Sequence, residues 1–72
     1  MATKEKVEKW VKKEEALSYL KDIVTQVEAG YVMVGERKIA LPSEFEFEIK
    51  YKYDENDKKK HEITIEFEWK EG

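Results

Sequence analysis

Between Glu44 and Trp69 the chain reads EFEFEIKYKYDENDKKKHEITIEFEW, and apolar and charged residues alternate almost without a break. A period of two marks extended backbone, because successive side chains leave opposite faces of a strand. The stretch predicts two strands, around Glu44–Tyr53 and His61–Lys70, joined by the polar DENDKKK loop. One face holds Phe45, Phe47, Ile49, Tyr51 and Tyr53, then Ile63, Ile65, Phe67 and Trp69. The other holds Glu44, Glu46, Glu48, Lys50 and Lys52, then Glu62, Thr64, Glu66, Glu68 and Lys70. The apolar face is expected to be core, covered by a helix, and the alternation leaves two registers open. Pairing Tyr53 with His61 sets Glu48 opposite Glu66 and Glu46 opposite Glu68, and like charges directly opposite repel. Pairing Tyr53 with Ile63 sets Lys50 opposite Glu66 and Glu46 opposite Lys70, and this second register is the expected one.

The segment KEEALSYLKDIVTQVEAG supplies that helix. Leu17, Leu20, Val24 and Val27 recur at helical spacing with Ala16 and Ile23 beside them. Glu14 and Glu15 suit the positive end of the helix dipole, and Gly30 suits the left-handed residue just past its end. Lys12 and Lys13 make poor N-caps, since neither offers an oxygen to the free N–H groups. In YVMVGERKIAL, Gly35-Glu36 has the glycine-first order of a type II′ hairpin turn. That turn pairs Val34 with Arg37 and Val32 with Ile39, and Pro42 ends the second strand. Upstream, Val7, Trp10 and Val11 fit a helix face while Val7, Lys9 and Val11 fit a strand face, so both remain open.

The fold class that follows is α+β: one amphipathic helix packed on a four-stranded, mainly antiparallel sheet, order α-β-β-β-β. An extra N-terminal strand is left open. Seventy-two residues make a single small domain, 1–72, with residues 1–6 expected to be flexible. Without cysteine, no disulfide or thiolate metal site supports so small a core. Charged residues are 43% of the chain, mostly Glu and Lys, a thermophile-like composition in which ion pairs are dense on the surface. No apolar run approaches a membrane span or a signal peptide, so a soluble, cytoplasmic protein is expected.

The motifs that carry chemistry are few. Asp54, Asn56 and Asp57 begin like a calcium loop, but Lys59 stands where its glycine belongs and Ile65 where its glutamate belongs. His61 is the one histidine, Ser18 and Ser43 are the two serines, and the glycines Gly30, Gly35 and Gly72 are scattered. A nucleophile elbow, a phosphate loop and a multi-histidine metal site all need more. No enzyme activity and no cofactor are expected. The expected function is a non-enzymatic interaction module that meets a protein partner or forms a homodimer.

Two surfaces are candidates for that contact. Tyr31 and Met33 lie opposite Val32 and Val34 on their strand, so they face outward unless the N-terminal segment, through Trp10, covers them. Glu46, Glu48, Glu66 and Glu68 form the second surface. The alternative function is weak nucleic-acid binding through Lys12, Lys13, Lys58, Lys59 and Lys60, against which the acidic balance of the chain, pI near 5.2, counts.

From Val7 to Glu71 the chain resembles the small bacterial and archaeal proteins called amphi-Trp domain proteins. The residues that carry the likeness are KKEEALSYLKDI at the helix and the closing EITIEFEWKE, which ends in Trp69. Members of that family usually open with a short alternating strand and a serine before the helix; here Lys12 occupies the serine position. The resemblance implies the same α+β fold, and it implies no activity, ligand or site residue.

Overall fold

The computed structural model describes residues 2–71. The elements are α1 (Lys13–Glu28), β1 (Tyr31–Val34), β2 (Arg37–Ala40), β3 (Glu46–Asp54) and β4 (Lys60–Glu68). The fold is α+β in the expected order, and both strand pairs are antiparallel. One feature differs from expectation: the strands form two two-stranded sheets, β1–β2 and β3–β4, in place of one sheet of four. Each ladder closes through its own turn, and the irregular residues from Leu41 to Phe45, with Pro42 lacking an N–H, end the first ladder. The chain divides into two compact units, Met1–Leu41 and Pro42–Gly72.

In the first unit, Lys12 is the N-cap with φ −81° and ψ 158°, and it makes no side-chain cap hydrogen bond. The expected glutamates, Glu14 and Glu15, fill the first turn. Gly30, at φ +91°, turns the chain out of α1 while its N–H donates to the Val27 carbonyl at 3.0 Å. Gly35 has φ +61°, as the glycine-first turn requires, and the register is the expected Val34–Arg37 and Val32–Ile39. Leu41 N–H donates to the Gly30 carbonyl at 2.9 Å, which extends this ladder and fixes its phase. Even-numbered residues of β1 therefore turn their backbone groups to β2, and odd-numbered ones turn theirs to the open edge. At that edge the Met33 N–H donates to Gln26 Oε1 of α1 at 3.0 Å.

The helix lies against β1. Ala16, Ile23, Gln26 and Val27 are half-buried there, whereas Leu17, Leu20 and Val24, expected to be the centre of the buried stripe, are 50%, 47% and 58% exposed. The apolar arc of α1 is wider than one four-residue strand can cover. Residues 2–12 form neither strand nor helix, so both readings of the N-terminus are corrected. They run beside the β1–β2 turn: Glu5 Oε1 is 3.7 Å from Arg37 Nε, and Val7 lies against Gly35. Met1, part of the segment expected to be flexible, lies outside the described residues.

In the second unit the register is Tyr53–His61, Glu48–Glu66 and Glu46–Glu68, which overturns the expected Tyr53–Ile63 pairing. The reason lies in the loop. Asp54 pairs with Lys60, and five residues close the turn between them. The Asp54 carboxylate accepts the Asn56 N–H at 3.0 Å, Lys60 N–H donates to the Asp57 carbonyl at 3.0 Å, and Lys58 and Lys59 both adopt left-handed backbone, φ 53° and 56°. The carboxylates brought together are exposed, where water screens their repulsion, so a well-bonded turn outweighs it.

Candidate functional site

Register decides what the β3–β4 hairpin presents. On its charged face the pairs run Glu46–Glu68, Glu48–Glu66, Lys50–Thr64, Lys52–Glu62 and Asp54–Lys60. The face is thus polarised, with four carboxylates at one end and lysines toward the loop. The Glu68 carboxyl is held above its ordinary value, first by a hydrogen bond with Glu66 and then by the nearby charges of Glu66, Glu46 and Glu48. A shared proton between two acids and crowding by like charge act in the same direction. The predicted acidic quartet is therefore one cluster. Among the described residues no group of three or more His, Asp or Glu side chains is arranged to hold a metal ion.

The opposite face is aromatic at both ends and aliphatic in the middle. Phe45 stacks on Phe67 with centroids 5.1 Å apart, Phe47 tilts against Phe67 at 5.5 Å, and Trp69 meets Phe45 at 6.2 Å. Near the loop, His61 lies 4.7 Å from Tyr53 ring to ring, and its Nδ1 is 2.7 Å from the Tyr51 hydroxyl. His61 is thus part of an aromatic cluster, a role its place at a strand start did not reveal. Between these ends Ile63 is 73% exposed, Ile49 65% and Ile65 52%. These side chains were expected to be core. A two-stranded hairpin has no second layer of its own to bury them.

The first unit carries a groove of about 710 Å³ between α1, β1 and the N-terminal segment, lined chiefly by Val7, Val11, Tyr19, Leu20, Ile23 and Met33. Lys9 hydrogen-bonds the Tyr19 hydroxyl, and its ammonium also sits 4.3 Å from the centre of that ring, at the rim. Met33 therefore belongs to a groove, while Tyr31 is half-buried with the Lys38 ammonium 4.5 Å from its ring centre. The two residues predicted to share one contact surface have different surroundings. Trp10 covers neither; it is fully exposed, and Val7 and Val11 flank the groove. The N-terminal side of this groove is Val7, Lys9 and Val11, the set that shares a strand face in the sequence, but their spacing did not show which elements they would meet.

The lysines of the alternative reading fall in separate elements. Lys12 caps α1 and Lys13 begins it, while Lys58 and Lys59 sit in the β3–β4 loop and Lys60 opens β4, 4.0 Å from Glu62. Among the described residues, no helix is long and apolar enough to cross a membrane.

No curated protein and no solved structure gives a significant match to this sequence. The model of the Amphi-Trp domain matches residues 2–72, nearly the whole chain, with its helix, its alternating strands and its closing Trp69. The chain belongs to the Amphi-Trp domain family.

Proposed function

We propose that this protein is a non-enzymatic, cytoplasmic protein-interaction module whose contact surface is the apolar face of the β3–β4 hairpin. The observation that carries this reading is the row of Ile49, Ile63 and Ile65, each more than half exposed, between two aromatic clusters. Large exposed apolar patches rimmed by charge mark contact sites on folded proteins. The carboxylates of Glu46, Glu48, Glu66 and Glu68 stand on the opposite face of the same strands and keep the unpaired hairpin soluble. Pocket chemistry is not what this face offers: its side chains are hydrocarbon, phenol, one indole and one imidazole.

The test compares capture from native lysate with and without nuclease, together with mass in solution, for the natural chain and an Ile63→Ser, Ile65→Ser variant. Specific capture or self-association by the natural chain that the variant loses is the expected result. If the natural chain instead retains only nucleic acid, and a Lys58→Glu, Lys59→Glu variant abolishes that retention, the lysine reading replaces this one.

A further inference from the structure

The β3–β4 ladder occupies one edge of β3; among the described residues its other edge is paired with no strand. An unpaired edge offers backbone N–H and C=O groups to an incoming strand, and side-chain charge decides which strand fits. The sequence of β3 around Ile49 is Glu46-Phe47-Glu48-Ile49-Lys50-Tyr51-Lys52. Read outward from Ile49, each acid on one side has a lysine at the same distance on the other, and Phe47 answers Tyr51.

We propose that β3 pairs antiparallel with β3 of a second copy of this chain, about a two-fold axis through Ile49. The two hairpins then join as one four-stranded sheet, β4-β3-β3-β4. This deepens the interaction reading above and rests on it. In that pairing Glu48 lies opposite Lys50 of the other copy and Glu46 opposite Lys52, and the symmetry makes each contact twice. Phe47 meets Tyr51 and Ile49 meets Ile49 on the apolar face, which doubles in width. The two-fold axis suits either hydrogen-bonding phase of the edge. If Ile49 points its backbone groups outward, it bonds to its own copy; if Glu48 and Lys50 do, they bond to each other.

The same charges oppose other arrangements. A parallel, in-register pairing of β3 would stack Glu46 on Glu46 and Lys50 on Lys50. Pairing β4 with itself about its middle residue, Thr64, would set Glu62 opposite Glu66 twice. Lysines on an edge strand ordinarily deter association, but here two acids precede two lysines, an order that matches the antiparallel pairing about Ile49 and opposes both arrangements above. The acidic cluster gives independent support. Within one chain Glu46 and Glu48 face only Glu68 and Glu66, and the Glu68 carboxyl is raised accordingly. Lys52 and Lys50 of a second copy would supply the missing counter-charges.

Charge exchange tests the pairing through its own symmetry. A Glu46→Lys, Glu48→Lys variant sets lysine opposite lysine across the axis, and a Lys50→Glu, Lys52→Glu variant sets acid opposite acid. Mixed in equal amounts, the two variants place an opposite charge at every one of these contacts. By sedimentation or native mass spectrometry, the natural chain is expected to have the mass of two copies. Each variant alone should associate about tenfold more weakly or worse, and the mixture should recover a hetero-pair. The first variant also places lysine opposite Glu68 and Glu66 within its own hairpin, so its fold is not at risk. A natural chain that stays single at high concentration overturns the proposal, as do variants that remain paired or a mixture that fails to recover. If the chain is single yet captures a protein through Ile63 and Ile65, the β3 pairing falls and the interaction reading stands. If it captures nothing by that face, the interaction reading itself falls.

Discussion

The two hairpins were built by different rules. β1–β2 closes in two residues around Gly35, whereas β3–β4 closes in five around Lys58 and Lys59. In the short turn one glycine with positive φ sets register, and register sets which backbone groups reach Gln26. In the long loop, register depends on two lysines in left-handed backbone that no composition rule marks. A strong local signal made the first pairing readable, while the second had to be guessed from charge, and the charge argument chose wrongly. Cross-strand charge at an exposed face is worth a few tenths of a kcal/mol to about 1 kcal/mol per pair, too little to overrule a hydrogen-bonded turn.

The largest effect should come from breaking the glycine rule. Gly35→Val puts a β-branched residue at φ +61°, where an added Cβ already meets Glu5 Oε2 at 3.3 Å and Val7 at 3.6 Å. Strain of this kind costs about 2 kcal/mol. Cross-strand NMR contacts between Val32 and Ile39 should weaken with the loss in thermal stability. If they stay intact at unchanged midpoint, the turn is not what fixes this hairpin.

A smaller effect of opposite sign is expected in the long loop. Lys58→Gly or Lys59→Gly removes the Cβ from a left-handed position, and each should stabilise the β3–β4 hairpin by about 1 kcal/mol. The measurement is a denaturant midpoint, with the Tyr53–His61 ring contact checked by NMR to confirm the register. An unchanged or lowered midpoint would mean that the two lysines do not hold left-handed backbone in solution.

These two cases show where sequence reasoning reaches and where it stops. Alternation named each side chain's face in β3 and β4, and Gly30 and Gly35 located both sharp turns of the first unit. The acidic quartet was legible as four residues but not as one cluster, because that required the register. The helix stripe was legible as an arc, but how much of it β1 could cover depended on strand length. Tyr31 and Met33 were separated by what their neighbours did. Lys38 reached over one ring, and Val7 and Val11 flanked the groove beside the other side chain. The alternation of Val7, Lys9 and Val11 put them on one side of their segment but did not say what that side would meet.

The gentlest test uses pH. Glu68 titrates above its ordinary value because Glu66 hydrogen-bonds to it and Glu66, Glu46 and Glu48 crowd it with like charge. Well above the raised value, Glu68 is ionised in folded and unfolded chains alike, and the folded hairpin carries the repulsion. As pH falls through the raised value, the folded chain takes up a proton before the unfolded chain does, so stability rises. The gain is complete below the unfolded value, near 4.5, where both forms are protonated. Other carboxylates add their own slopes, so the quantity to measure is the difference between the natural chain and Glu68→Gln. Glutamine can still donate to Glu66 and carries no charge. The natural chain should therefore be less stable than the variant at neutral pH, and the gap should close on acidification. A gap that is flat with pH would mean the carboxylates are not crowded as the Tyr53–His61 register requires. A gap abolished by joining two copies through β3 would instead show Lys50 and Lys52 of the second copy answering the charge that one chain leaves unanswered.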